Sequence, residues 1–149
     1  MTIGGVAAAV GRGLFAGATG TAAMTASSTI EAKLRDRSGS SAPADAAGKV
    51  LGVQPRDPDG AARFSNVVHW GYGTSWGAVR GLIGATGLRG VPAGAAHFAT
   101  VWGSSLVMLP ALDVAPAPWK MEGRELAVDA FHHMVYAGAT SAAYGLLDG

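Results

Sequence analysis

The chain has no cysteine, which excludes disulfides, thiolate metal sites and cysteine nucleophiles. Charged residues make up only 14% of its 149 residues, whereas an average soluble domain has about 25%. Aromatic residues are also few, at 7%, while glycines number 23. So little charge predicts an exterior that faces lipid or is covered in an oligomer.

Familiar functional motifs are missing as well. The sequence has neither a phosphate loop ending in Gly-Lys-Ser/Thr nor a His-Glu-x-x-His metal motif. The net charge is +1 and basic residues alternate with aspartates, so nucleic acid is not expected as a partner. No Lys or Arg precedes the first apolar run, which predicts that this segment is retained rather than cleaved. We therefore expect a protein that is not an enzyme.

Four long stretches predict helices, at about 3–31, 62–86, 91–112 and 122–147. From Gly13 to Ile30 no residue is charged, which approaches the ~20 residues needed to cross ~30 Å of hydrocarbon. Residues 91–112 are also free of full charges, and Pro110 should bend or stop that helix. The prediction is an all-α fold: one integral membrane domain, residues 1–149, made of four transmembrane helices. A soluble helical bundle is the alternative.

Between the first two long helices the chain turns polar. Ser41, Pro43 and Gly52 have the positions of a capping residue, an early proline and a terminal glycine, so they predict a short surface helix. Residues 54–60 have turn composition. This segment is predicted to be a cytoplasmic loop.

The distribution of positive charge predicts an orientation. Of the 11 Lys and Arg residues, most lie in the loops after the first and third long helices; only Arg12, Arg80 and Arg89 lie on the other side. Because positive loops stay in the cytoplasm, both termini are predicted to lie outside a bacterial plasma membrane.

An internal repeat links the second and fourth helices. At an offset of 64 residues, five of fourteen positions are identical: His69/His133, Tyr72/Tyr136, Ala78/Ala142, Gly81/Gly145 and Leu82/Leu146. Repeats of this kind predict two related helical hairpins of like orientation in the membrane.

Glycines recur three or four residues apart on two of the helices. Such spacing lets helix backbones approach closely in membranes. The predicted packing residues are Gly13, Gly17, Gly20, Gly73, Gly77 and Gly81. They favour packing within the bundle, in a homo-oligomer or in a larger membrane complex.

Polar groups gather towards the predicted cytoplasmic side. The candidate ligand or proton-relay residues are Glu31, His69, Tyr72, Asp129, His132, His133 and Tyr136. Two alternatives remain for the histidines: buried imidazoles that fix helix register, or ligands of a haem or divalent metal in a redox module. A transporter or proton-conducting element would use Glu31 and Asp129 as titrating groups.

A family resemblance rests on two motifs. Ala16-Gly17-x-x-Gly20-Thr21-x-x-Met24-Thr25 followed by Glu31, and His69-x-x-Tyr72-Gly73-x3-Gly77, are similar to the YagU-like small bacterial inner-membrane proteins. The resemblance implies a four-helix membrane protein and carries over no catalytic or binding residue. With no catalytic motif, the first functional hypothesis is a structural or accessory component that packs with itself or with a larger membrane complex.

Overall fold

The structure, a computed structural model, describes residues 2–149 and confirms the all-α prediction. Over that range it contains five α-helices, one short 3₁₀ turn and no β-strand. The helices are α1 (Ile3–Leu34), α2 (Ala42–Leu51), α3 (Pro58–Ala85), α4 (Gly90–Ala111) and α5 (Gly123–Asp148), and the 3₁₀ turn spans Pro118–Lys120. No helical turn was predicted at this place from the sequence.

The start of α3 corrects the turn predicted for residues 54–60. Asp57 is the N-cap residue, and its carboxylate accepts a hydrogen bond of 2.7 Å from the backbone N–H of Gly60. Pro58 occupies the first helical position, where its missing N–H costs nothing. Asp57 and Pro58 therefore start a helix, and Asp59 and Gly60 belong to its first turn.

Helix α1 runs antiparallel to both α3 and α5. Gly81, Gly77 and Gly73 of α3 lie against Ala9, Gly13 and Thr21 of α1, in reverse order along the chain. On α5, Tyr136 and Thr140 approach Gly20 of α1, while Asp148 pairs with Arg12 near the start of α1. Consequently α3 and α5 are parallel to each other.

The two helices that carry the sequence repeat also touch. The hydroxyl of Tyr136 on α5 donates a hydrogen bond of 2.6 Å to the backbone carbonyl of Gly73 on α3. Helix α4 packs mainly on α5 and less extensively on α3. His97 of α4 forms a 3.1 Å hydrogen bond with the carbonyl of Trp76 on α3.

The contact between α1 and α3 is made by glycine. A Cβ atom on Gly77 would lie 2.1 Å from the carbonyl oxygen of Gly13 and 2.6 Å from Cα of Gly17. Real Cβ atoms essentially never come within 3.0 Å of a backbone atom. These glycine faces therefore pack against each other inside the chain.

The end of the molecule near Asp148 carries few charges. Arg12 and Arg89 lie 2.7 Å and 3.8 Å from the Asp148 carboxylate. Arg80 is buried, and its guanidinium lies 4.4 Å above the ring of Tyr144 while Nε donates to Ser141 at 3.1 Å. Arg80 is thus held by an aromatic face and a hydroxyl.

Large apolar side chains lie on the outside of the helices. Phe15, Val91 and Leu146 are 75%, 85% and 87% exposed. Within residues 2–149, however, no single helix combines the length and apolarity needed to cross a membrane. Four membrane-spanning helices thus stay a prediction.

Candidate ligand-binding cavity

A cavity of about 630 Å³ opens at the end of the molecule opposite Asp148. Its walls come from the second half of α1, from α2, from the middle of α3, from the second half of α4 and from the first half of α5. Most of the lining is apolar, including Met24, Val68, Val101, Met108 and Leu109. The volume lies within the range of small-molecule sites in proteins.

Helix α5 supplies five polar groups to this cavity, more than any other helix. Glu125, Asp129, His132, His133 and Tyr136 follow one another at spacings of one, three or four residues, so helical geometry places them on one side of α5. All five line the cavity. Trp76 on α3 also lines it, beside the predicted residues His69 and Tyr72.

His69 is oriented by a hydroxyl from α1. Its Nε2 lies 2.8 Å from Oγ1 of Thr25, and that hydroxyl lies 2.7 Å from the backbone carbonyl of Thr21. A carbonyl can only accept, so the Thr25 proton points at Thr21 and the Thr25 oxygen accepts from His69. His69 therefore carries its proton on Nε2.

His132 is oriented in the same way by Ser27. Its Nδ1 lies 2.9 Å from the Ser27 hydroxyl, which donates to the carbonyl of Met24 at 3.0 Å. Nδ1 is therefore the protonated nitrogen. The side chain is 95% buried, and Nε2 has no hydrogen-bond partner among the described residues.

His133 and Asp129 form a second polar group on α5. His133 donates from Nδ1 to the Asp129 backbone carbonyl at 2.9 Å, and the Asp129 carboxylate lies 3.5 Å away. The other carboxylate oxygen of Asp129 accepts a 2.8 Å hydrogen bond from the indole of Trp102 on α4. Asp129 therefore ties α4 to α5 and is not paired with Glu31.

Glu31 belongs to an ion-pair cluster beside the cavity. Arg37 donates to Glu31 at 2.5 Å, and Arg35 donates both to Glu31 at 2.9 Å and to Glu125. The hydrogen bond from Arg37, with further help from Arg35, lowers the pKa of Glu31 from its ordinary value of 4.5 to about 2. Arg35 likewise lowers the pKa of Glu125. Glu31 also lies 3.8 Å from Nε2 of His132.

The two tyrosines of the repeat have different surroundings. Tyr136 is buried and bonded to the Gly73 carbonyl. Tyr72 is partly exposed and meets the ring of Trp76 edge-on at 5.9 Å. Both tyrosines line the cavity, but Tyr136 also holds α5 against α3.

The predicted ligand residues do not form a metal site. Among residues 2–149 no three His, Asp or Glu side chains are grouped so that they could hold a metal ion. His69 and His133 do line one cavity. Haem or metal binding by this pair stays a prediction.

One pattern escaped the sequence analysis. Gly73-Thr74-Ser75-Trp76-Gly77 matches the Gly-x-Ser-x-Gly pattern of hydrolases, in which a strand-to-helix turn exposes the serine. Here the segment lies inside α3, and the Ser75 hydroxyl donates to the carbonyl of Tyr72 at 2.7 Å. The described residues provide no strand at that point, so the pattern does not form a nucleophile elbow.

Sequence reasoning also missed the groups that orient the histidines. Thr25 and Ser27 on α1 and Trp102 on α4 each bond to one of the candidate residues. The hydroxyl residues of α1 recur at Thr21, Thr25 and Ser28, on the side of the helix that faces the cavity. This spacing of three and four residues indicates a polar side of α1 and could have been used to find partners for the histidines.

Comparison with family models, curated proteins and solved structures found no match to this chain.

Proposed function

We propose that this chain is a small multi-pass protein of a bacterial plasma membrane that binds an apolar ligand in its cavity. The cavity carries the functional part of the proposal, because it combines a mainly apolar lining with oriented imidazoles. Ligand sites of small molecules commonly have this composition.

The positions of the charged residues support insertion into a membrane. Between Arg12 and Glu31 on α1, and between Asp129 and Asp148 on α5, no residue is charged; the same holds between Arg89 and Asp113 around α4. Each uncharged stretch has at least 18 residues, or about 27 Å at 1.5 Å per residue. On α3 the stretch ends at Arg80, which is buried. Charges therefore lie at two ends, with an uncharged band between them.

Two further features fit this band. The exposed apolar side chains Phe15, Val107 and Phe131 lie within it, where lipid would cover them. Trp119, which is 83% exposed, lies beside Lys120 at the end of the molecule that carries more positive charge. Tryptophan next to lysine is typical of a membrane interface.

The proposal includes a four-helix transmembrane bundle, as the resemblance to the YagU-like family implies, and the internal repeat of this chain divides it into two related hairpins. The parallel arrangement of α3 and α5 supports such a repeat, because parallel repeats carry equivalent helices in the same direction. The many basic residues near the cavity support a cytoplasmic position for that end, with both termini outside.

Packing with another subunit through the glycine faces has less support. Gly13, Gly17 and Gly77 are already used between α1 and α3. An accessory role would need a different surface.

Membrane insertion is tested by fractionation. We expect the protein to stay in the membrane pellet after alkaline carbonate washing, and a reporter fused after Gly149 to be active only outside the cytoplasm. Release by carbonate would contradict membrane insertion. A reporter that is active in the cytoplasm would contradict the proposed orientation.

Ligand binding is tested by filling the cavity. Ala47→Trp adds an indole to a residue that lines the cavity, whereas Ala99→Trp adds the same group to an exposed residue outside it. We expect lipid extracts of the purified wild type and of Ala99→Trp to contain a bound compound that Ala47→Trp lacks. Identical extracts from all three proteins would count against a ligand site.

A further inference from the structure

Each of the three imidazoles that line the cavity uses one ring nitrogen as a hydrogen-bond donor to another group of the protein. His69 donates from Nε2 to Thr25, His132 from Nδ1 to Ser27, and His133 from Nδ1 to the Asp129 carbonyl. A neutral imidazole has one donor and one acceptor. With Nε2 of His69 and Nδ1 of His132 and His133 as the donors, each neutral ring has one remaining nitrogen that can only accept a hydrogen bond.

His132 shows most clearly that this acceptor lacks a partner. Its ring is 5% exposed and lines the cavity, yet Nε2 has no hydrogen bond among the described residues. Buried polar atoms are nearly always paired, so an orphan at a cavity wall points to a group that is bound there. The nearest oxygen of Glu31 lies 3.8 Å from Nε2, beyond hydrogen-bond distance, so Glu31 does not satisfy this nitrogen.

Arg37 is the cationic side chain among the described residues that line the cavity, and it and the nearby Arg35 and Lys49 already have partners. Arg35 and Arg37 are paired with Glu125 and Glu31. Lys49 on α2 donates to the carbonyls of Leu112 and Asp113 at 2.6 Å and 3.0 Å. A carboxylate or phosphate head group would thus lose water without gaining a free cation.

From these contacts we infer that the cavity binds a neutral amphiphile whose hydroxyl group donates a hydrogen bond to Nε2 of His132. This inference rests on the proposed function, and it adds the chemical class of the ligand. The apolar walls formed by α2, α3 and α4 accept the hydrocarbon part. At about 30 Å³ per non-hydrogen atom, 630 Å³ holds roughly 20 such atoms, so a chain of about twelve carbons fits.

The test compares head groups on one chain length. Tagged protein in phosphatidylcholine nanodiscs is equilibrated with deuterated dodecanol, recovered, and the retained alcohol is measured by mass spectrometry. Unlabelled dodecanol, dodecyl methyl ether, dodecanoate and dodecylamine serve as competitors, each corrected for its partition into empty nanodiscs. Empty nanodiscs give the background, and Ala47→Trp, whose indole takes up part of the cavity, should retain less alcohol than wild type.

Dodecanol should displace the label at about 3- to 10-fold lower concentration than the methyl ether, because the ether keeps the oxygen and loses the donor. The carboxylate and the amine should also be weaker, since each loses water while Glu31, Glu125, Arg35 and Arg37 are already paired with one another. An ether that competes as well as the alcohol would overturn the inference, as would a carboxylate or an amine that competes better.

Failure of the proposed function has a different signature. In that case wild type would retain no more labelled alcohol than empty nanodiscs do. If wild type retains the alcohol above this background but all head groups compete equally, the cavity binds apolar ligands and the hydroxyl inference alone is wrong.

Two substitutions at His132 test whether its Nε2 is the acceptor. His132→Leu removes it and should bring the alcohol-to-ether ratio close to one, while His132→Gln keeps an acceptor oxygen and should retain a clear preference. An unchanged ratio in His132→Leu would refute the assignment to His132. If His132→Leu does not fold, the wild-type ratio together with His132→Gln still decides the question.

Discussion

Gly77 is the position where a single methyl group should do the most damage. In the Gly77→Ala variant the new Cβ would lie 2.1 Å from the Gly13 carbonyl oxygen on α1, whereas ordinary van der Waals contact begins near 3.4 Å. The nearest atoms belong to backbone, so no side chain can rotate away. Helices α1 and α3 would have to separate by more than about 1 Å at this point.

The magnitude follows from two opposing effects. Replacing glycine by alanine inside a helix stabilises by about 0.5–1 kcal/mol, because the unfolded chain loses freedom. Forcing an extra methyl into a closely packed contact costs about 1–3 kcal/mol, and backbone neighbours favour the upper end of that range. For Gly77→Ala we therefore expect a net loss of about 1–2 kcal/mol.

Gly71 provides the matched control on the same helix. No atom lies within 4 Å of a Cβ added there. Gly71→Ala should therefore show the stabilising effect of alanine in a helix without the packing cost. The two variants should differ in unfolding free energy by about 2–3 kcal/mol, which corresponds to roughly 4–12 °C in Tm for a domain of this size. Thermal unfolding followed by circular dichroism measures this. If Gly77→Ala proves as stable as Gly71→Ala, the close contact between α1 and α3 does not exist.

Three further predictions concern polar groups. The pKa of Glu31 is lowered in the folded protein, so its contribution to stability is complete above pH 4.5 and is lost as the pH falls towards 2. In Glu31→Gln, Tm should therefore fall less between pH 4.5 and pH 2 than in the wild type. Tyr136→Phe removes the hydrogen bond to Gly73 and should cost about 0.5–1.5 kcal/mol in chemical unfolding. Arg80→Lys loses the planar contact with Tyr144 and should cost about 1–2 kcal/mol in the same assay.

Each of these has a partner variant that should change little. Asp59→Asn, at an exposed carboxylate, should leave the acid profile as in the wild type. Tyr72→Phe and Arg89→Lys, at partly exposed and exposed side chains, should shift stability by no more than about 0.5 kcal/mol. If a variant and its control change stability equally, the contact that was removed only in the variant does not contribute as proposed.

The helices could be predicted from the sequence because their signals are local. Asp57 and Pro58 cap α3, and Gly52 adopts a positive φ of 65° where α2 ends. The sequence analysis recognised Gly52 but assigned Asp57 and Pro58 to a turn, because capping residues and turn residues are the same types. The glycine spacing identified the helix faces that can approach closely, without showing which face meets which.

The polar face of α5 was also visible in the sequence, since helical periodicity alone brings His132, His133 and Asp129 to one side. Their partners were not visible. Ser27 lies 105 residues from His132, and Trp102 lies 27 residues from Asp129 on another helix. Such pairs depend on how far each helix slides along its neighbour, and no local pattern records that distance.

The sequence by itself thus determined the helical fold and the stretches without charge, because both depend on neighbours along the chain. Only the tertiary structure decided that Arg35 also reaches Glu125 on α5, and that α2 closes one side of a cavity. It also decided which hydroxyl or carbonyl group each cavity histidine contacts. The physical reason is that hydrogen bonds and cavities form between helices, in a register fixed by the contact of Gly13 and Gly17 with Gly77.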